Sequence, residues 1–359
     1  MPDLSAFAAL AEGKTHDDRV NQQWRVAQAP SGHVAPEDFA WTEAPIPEPR
    51  PGEVLLKTLY LGLAPVMRMY MQGTGAAGEA ALKPGDVIHG RGVAQVMKSR
   101  HPAWPEGTVV QGQIGWQSYK TSAMTPAERM IRCRNLGLPA MLSCKVLGMT
   151  GMSAYAGLFH CGEPIPGDRM LLSGAAGGVG TIALQLAANV AGCDVVGIAG
   201  GPEKCAAIRQ LGCRDAIDYK AGDLGARIDA ACPDGVDLYF DNVGGEMLQT
   251  VLDRLAMHAR VVLCGSISEY ARAEPFALPN YTRLRGKDAT MRGFFVYNHL
   301  DRWDAAMEAM AGFIHAGRLT PVQDVEHGLA RMPLALAKLY EGGNIGTQLC
   351  SVRGEPEEW

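Results

Sequence analysis

No apolar run in this chain approaches the ~20 residues needed to span a bilayer as a helix, and no two cysteines stand in a C-x-x-C spacing. The first absence removes a helical membrane anchor. The second, with an odd total of 9 cysteines, argues against a disulfide framework and a four-cysteine structural zinc site. The thiols are expected to be reduced, in a cytoplasmic setting, most of them serving as small buried hydrophobes. A strong charge of either sign is also missing. With 33 Lys and Arg against 38 Asp and Glu, the net charge is −5. It supplies no electrostatic reason to expect a nucleic acid or an anionic membrane as partner. Internal repeats and low-complexity segments are absent. The opening MPDLSAFAALAEGKTHDDRV lacks a basic leader, and its apolar part is short. Residues 1–20 are therefore expected to be a loosely held extension and not a signal peptide.

What remains is ordinary globular material, 47% hydrophobic and 20% charged over 359 residues, a length for two domains. From about Asn21 to about Leu138 the chain is rich in proline and glycine, with short β-type runs at Val54–Tyr60, Val87–Ile88, Gly92–Val96 and Thr108–Val110. Turn signals such as Pro51-Gly52, Pro84-Gly85 and Pro105-Glu106-Gly107 separate them, a pattern that predicts a small barrel or sandwich. From about Val146 strands alternate with helices. Strands are predicted at Met170–Ser173, Val195–Ala199, Ala216–Tyr219, Leu238–Asp241, Val261–Cys264 and Gly293–Val296. Helices are predicted over about 181–191, 203–211, 245–256 and 302–316. This rhythm predicts an α/β fold with a doubly wound parallel sheet. The tail through Leu349 reads as one more helix and strand returning to the first domain. The expected domains are 21–145 with 320–359, and 146–319.

Two glycine clusters compete as a phosphate cradle. Gly73–Gly78 fits G-x-G-x-x-G by letter, but no strand precedes it and Pro84 soon follows; it reads as a surface loop. Ser173-Gly174-Ala175-Ala176-Gly177-Gly178-Val179-Gly180 leaves a buried strand and opens a long apolar helix. Its small residues let the backbone approach a pyrophosphate, which the amides and positive end of the helix would face. About twenty residues on, an NAD enzyme places an acid against the ribose. Here stand Gly200 and Gly201, leaving room for a phosphate, and Lys204 can supply its counter-charge although Glu203 has the wrong sign. NADPH is the favoured nucleotide.

At this point the chain resembles the medium-chain dehydrogenase/reductase superfamily. It is closest in pattern to the zinc-lacking branch of leukotriene hydroxydehydrogenases, prostaglandin reductases and curcumin or 2-alkenal reductases. The resemblance runs from about Asn21 to Val352. It rests on Asn21-x-x-Trp24, Gly148-Met149-Thr150-Gly151-x-Ser153-Ala154-Tyr155, the 173–180 loop and Phe240-Asp241-Asn242-Val243-Gly244-Gly245. Cys264-Gly265-x-Ile267-Ser268-x-Tyr270 and Gly343-Asn344-x-Gly346 complete it. It implies a barrel-like, GroES-like catalytic domain, a Rossmann domain, NADPH in the cleft between them, and a homodimer. Zinc members carry a histidine-glutamate pair where this chain reads His89-Gly90-Arg91. His89 is therefore expected to be structural, and no metal is expected.

The chemistry implied is reduction of a carbon–carbon double bond conjugated to a carbonyl, in an enone, an enal or a quinone. Tyr270 is the expected proton donor, with water as the alternative. Thr150, Ala176, Gly177, Gly178, Val179, Gly180, Gly200, Gly201, Lys204, Cys264, Ile267 and Ser268 are the expected cofactor contacts. Asn242 is expected to hydrogen-bond the ribose or nicotinamide, or else to form a turn. Tyr219 is expected to stack near the adenosine or to be a buried strand residue. Asn344 would close over the cofactor. Phe294 and Tyr297 either wall the nicotinamide pocket or belong to the core. On the substrate side, Leu61-Gly62-Leu63-Ala64-Pro65-Val66-Met67-Arg68 keeps Met67 and Arg68 of the family pattern, but Ala64 and Val66 replace an aspartate and a tyrosine. A more apolar pocket is expected, with Tyr60 or Tyr70 as compensating phenols. Thr347 stands where a lysine usually follows Asn-x-Gly, an expected loss of positive charge near the cofactor. These departures keep open a second reading, an NADPH-binding protein with little turnover.

Overall fold

The computed structural model describes residues 3–73, 79–270, 272, 274–356 and 358–359. The expected surface loop at 73–78 lies, past Gly73, outside the described residues. The strands are β1 (Val20–Val26), β2 (Phe39–Pro45), β3 (Val54–Gly62), β4 (Arg91–Ser99), β5 (Val109–Gln113), β6 (Tyr119–Ser122) and β7 (Ile131–Arg132). Then come β8 (Arg169–Leu172), β9 (Asp194–Ala199), β10 (Asp215–Asp218), β11 (Val236–Asp241), β12 (Leu255–Leu263), β13 (Thr290–Gly293), β14 (Gln323–His327) and β15 (Thr347–Ser351). The helices used below are α1 (Leu4–Ala9), α2 (Met67–Met71), α3 (Met149–Tyr155) and α4 (Gly178–Gln185). The chain divides into two compact units, Met1–Lys145 with Asp324–Trp359, and Val146–Gln323.

In the first unit a 7-stranded sheet runs β14-β15-β3-β4-β5-β7 with β6 on β3, and β1 pairs β2 separately. The expected barrel is not closed. β7 has only 2 residues and pairs β5 alone, so the ladder ends before it can reach β14. The Trp24 indole donates to the Leu329 carbonyl at 2.9 Å. That buried bond ties the returning tail to β1. Leu329, Met332 and Leu336 join Trp24, Phe39 and Trp116 in one apolar cluster.

The N-terminal stretch differs from expectation. Instead of hanging loosely, α1 buries Phe7 to 1% exposure, its ring set edge-on to Phe39 at 6.2 Å. Asp3 caps the helix by accepting from the Ser5 amide at 2.9 Å. Further along, Asp18 accepts from Arg353 Nε at 2.9 Å and from the Tyr119 hydroxyl at 2.9 Å. An amphipathic turn with a single aromatic anchor gave too short a periodic signal to be read beforehand.

The second unit is a 6-stranded sheet in the order β10-β9-β8-β11-β12-β13, every pairing parallel. Met170, Leu171 and Leu172 of β8 are fully buried, as central parallel strands covered on both faces require. All 9 cysteines are free and 7 are buried, filling apolar space. Among the described residues no helix is long and apolar enough to cross a membrane.

Phe7→Ala should lower the unfolding free energy by ~3 kcal/mol through transfer and cavity terms, seen as a lower urea midpoint. A change below ~1 kcal/mol would contradict the anchoring of α1.

Candidate functional site

Chain order reverses between β8 and β11, the position at which open parallel sheets hold ligands beyond their carboxyl ends. Here Ser173, fully buried, donates its hydroxyl to Asp241 Oδ1 at 2.7 Å and accepts the Asn242 amide at 2.8 Å. Asp241 also accepts from the Tyr239 hydroxyl at 2.8 Å and from the amides of Val243 and Gly244 at 3.0 and 3.1 Å. A buried carboxylate with this many donors is satisfied without a counter-ion. The motif around Asp241 does not by itself assign the carboxylate a task; in the structure it locks two strand ends together. The Asn242 side-chain amide, expected at a cofactor, donates to the Ser173 carbonyl at 2.8 Å. It serves the same lock.

From this lock the 174–180 bend enters α4. Gly177 is the residue before the helix and makes no side-chain cap, so the first amides of α4, including those of Gly178, Val179 and Gly180, have no intrahelical partner. A Cβ on Gly180 would lie 2.2 Å from the Gly174 carbonyl oxygen; only glycine permits this approach. Ala175 and Ala176 are buried. Ala175 packs under Gly197 of β9, so its small size serves helix-to-sheet packing as well as an open bend. Such a bend, lined by backbone donors at a helix start, fits a pyrophosphate.

At the end of β9, a Cβ on Gly200 would meet the Tyr219 ring at 2.9 Å and Lys220 Cε at 3.0 Å. The Gly201 amide donates to Asp218 Oδ1 at 2.8 Å, which fixes this corner. Tyr219 is not a buried strand residue: it is 45% exposed, with Lys220 Nζ 6.0 Å from its ring centroid. Burial and then the neighbouring Lys220 charge hold the Lys204 ammonium below its usual value. Two lysines thus converge where a single one was read. Lys220 was missed because parallel pairing, which sets Asp218 opposite Ala199, brings it there from a separate strand.

The segment after β12 is strapped onto the 241–245 loop. Cys264 and Gly265 amides donate to the Asp241 carbonyl at 2.9 and 3.1 Å. Ile267 and Ser268 amides donate to Asn242 and Val243 carbonyls at 3.3 and 3.1 Å. The Ser268 hydroxyl donates to the Val243 carbonyl at 2.7 Å, and Ile267 stands 41% exposed. Burial pushes the Cys264 thiol up to about 12, which keeps it neutral. A cavity of ≈ 450 Å³ lies here, walled by Tyr270, Cys264, Asp241, Leu263 and Phe276. Burial also raises the Tyr270 phenol above its usual value. Phe294 and Tyr297 lie beyond the end of β13. Phe294 rests on Gly157 beside Phe240, whereas Tyr297 stacks edge-on with Phe295 at 4.9 Å. Thr150 is half-buried in the first turn of α3.

On the first unit the expected substrate-side phenols are committed elsewhere. Tyr60 is buried, and its hydroxyl donates to Glu355 Oε1 at 2.8 Å. Met67 and Tyr70 belong to the apolar core, with Tyr70 edge-on to His89 at 5.6 Å. Within 61–68 only Ala64, Pro65 and Val66 stay half-open. Asn344 is turned inward, donating to the Gly346 carbonyl at 2.9 Å. His89 Nε2 contacts the Ala80 carbonyl at 3.1 Å. Among the described residues no three of His, Cys, Asp or Glu gather as metal ligands.

Two family models match: an N-terminal domain of oxidoreductase over residues 22–130 and a zinc-binding dehydrogenase over residues 178–312. The chain is 36% identical over 305 residues to a 2-alkenal reductase (NADP(+)-dependent) of Nicotiana tabacum, covering 84% of this chain and 88% of that one. With an NADPH-dependent curcumin reductase of Escherichia coli (strain K12) it shares 33% over 348 residues, 93% of this chain and 98% of the relative. The crystal structure of CurA in complex with NADPH from Vibrio vulnificus superposes with a TM-score of 0.85 at 32% identity, covering 93% of this chain and 100% of that one. The chain therefore belongs to the zinc-lacking reductase branch of the medium-chain dehydrogenase/reductase superfamily.

Proposed function

We propose that this protein reduces the carbon–carbon double bond of α,β-unsaturated ketones and aldehydes at the expense of NADPH. The match over most of the chain to 2-alkenal and curcumin reductases carries the reaction class. Gly200 flanked by Lys204 and Lys220 supports the phosphorylated nucleotide.

The bound nucleotide supplies a hydride to the substrate β-carbon, leaving an enolate that takes a proton at the α-carbon. The chain's own residues do the rest. Amides of the 176–180 bend hold the pyrophosphate, and the Asp241–Ser173 lock keeps that bend in place. Tyr219 covers the adenosine, and the two lysines neutralise the phosphate on its ribose. Tyr270, on the cavity wall beside Cys264, is the proton donor we favour; its raised pKa keeps the phenol protonated at neutral pH. The nine free thiols support a reducing, cytoplasmic setting, and the family resemblance supports a homodimer.

NADPH absorbance followed against enones, enals, quinones and their saturated analogues tests this directly. Unsaturated carbonyls should oxidise NADPH, and tight NADPH binding without any turnover would overturn the enzyme reading. Tyr270→Phe should lower kcat by ~10²-fold with NADPH affinity unchanged, and the wild-type rate should hold until above about pH 10. Unchanged turnover in the variant would remove Tyr270 from the acid role. Lys204→Ala with Lys220→Ala should weaken NADPH by roughly 10²-fold while leaving NADH nearly unaffected, at about 1.5 kcal/mol for each lost charge-assisted bond. Equal losses for both nucleotides would contradict the phosphate site.

A further inference from the structure

An acid stands at the corner assigned to a phosphate. Asp218 is the last residue of β10, and it pairs with Ala199, the last residue of β9. Beyond this pair β9 gives way to Gly200-Gly201 and β10 to Tyr219-Lys220, all within the second unit. One backbone bond still crosses there, from the Tyr219 amide to the Ala199 carbonyl at 3.1 Å. The next crossing is made by a side chain. Asp218 Oδ1 accepts the Gly201 amide at 2.8 Å and the Lys220 amide at 2.9 Å. The turn after β10 is closed by the Ala221 amide, which donates to the Asp218 carbonyl at 3.2 Å. Arg227, on the helix Leu224–Ala231, donates to the Ala221 carbonyl at 2.8 Å and holds the turn from behind.

A carboxylate near a phosphate is unfavourable by itself. Here the charge is already taken up by backbone donors: Gly201 first, and then Lys220, hold the Asp218 carboxyl below its usual value. These two bonds set Tyr219 and Lys220 against the end of β9. A Cβ on Gly200 would fall 2.9 Å from the Tyr219 ring and 3.0 Å from Lys220 Cε. An acid that accepts the ribose hydroxyls selects the unphosphorylated nucleotide. With Oδ1 engaged by the protein's own amides, the same residue type can serve the opposite preference.

We propose that Asp218 is a positioning residue for nucleotide selection: by gathering the Gly201 and Lys220 amides on one oxygen, it sets Lys220 and Tyr219 where they meet the phosphate on the adenosine ribose. This rests on the reading that Lys204 and Lys220 neutralise that phosphate. Asp218 acts as an acceptor and not as a charge. A side-chain amide oxygen in the same place would accept the same two bonds without repelling the phosphate.

Calorimetric titration of the full-length protein with NADPH and with NADH separates the acceptor from the charge, and needs no turnover. Asp218→Ala removes both and should weaken NADPH by ~10-fold through the two lost hydrogen bonds, with NADH changed by about twofold at most. Asp218→Asn keeps the acceptor. It should hold NADPH at least as tightly as wild type, and about twofold more tightly at low salt, where the like charge is least screened. A residue that merely supported the fold would affect both nucleotides alike. Equal loss of NADPH and NADH in Asp218→Ala, or loss of neither, would therefore overturn the role of Asp218. So would a ~10-fold loss of NADPH in Asp218→Asn, which decides the matter if the alanine variant does not fold. The protein carrying both Lys204→Ala and Lys220→Ala is titrated alongside. If it loses both nucleotides equally, the phosphate site itself falls. If it loses NADPH alone while Asp218→Ala binds both as wild type does, only the role of Asp218 falls.

Discussion

The hydrogen bond from Ser173 to the buried Asp241 carboxylate, at 2.7 Å, sets where everything in the second unit begins. β8 and β11 are the neighbours between which chain order reverses, and their pairing ends at Leu172 and Phe240. Asp241 gathers four donors from both strand ends and the following loop. The Asn242 amide closes the same gap from the other side. With these ends fixed, the bend that follows has one shape, and its amides point in one direction. A loose loop would have to be ordered by its ligand, at a cost in affinity.

The first unit uses a different device. Its two chain segments are far apart in sequence, and the Trp24–Leu329 bond joins them inside an apolar cluster. Its aromatic and phenolic residues are already engaged in packing and in the Tyr60–Glu355 bond, and Ala64 and Val66, half-open beside them, add no polar group.

Much of the second unit was legible beforehand because its signals are local. Met170-Leu171-Leu172 followed by small residues and an apolar helix can be read in one window, and so can the strand ending at Ala199. The predicted strand at Gly293–Val296 slipped: the true one is Thr290–Gly293. The apolar Phe294-Phe295-Val296 run drew the reading onward, whereas the real edge strand is largely exposed and gives no hydrophobic signal. The helix expected to reach 256 ends at Leu252, since β12 starts after a two-residue turn that carries no glycine or proline. Lys220 was invisible for another reason. It reaches the Gly200 corner from a separate strand, and spacing along one chain does not encode that. Met67 matches the family pattern in letters, yet its side chain, like that of the expected compensating phenol Tyr70, belongs to the core; a motif fixes residue type, not its direction.

Hydrogen–deuterium exchange of the full-length protein, with and without saturating NADPH, tests the central claim most directly. The account predicts new protection concentrated at 174–180, at 200–204 and at 219–220, with NADH protecting the first segment and sparing the last two. Protection elsewhere with the 174–180 amides unchanged would contradict it.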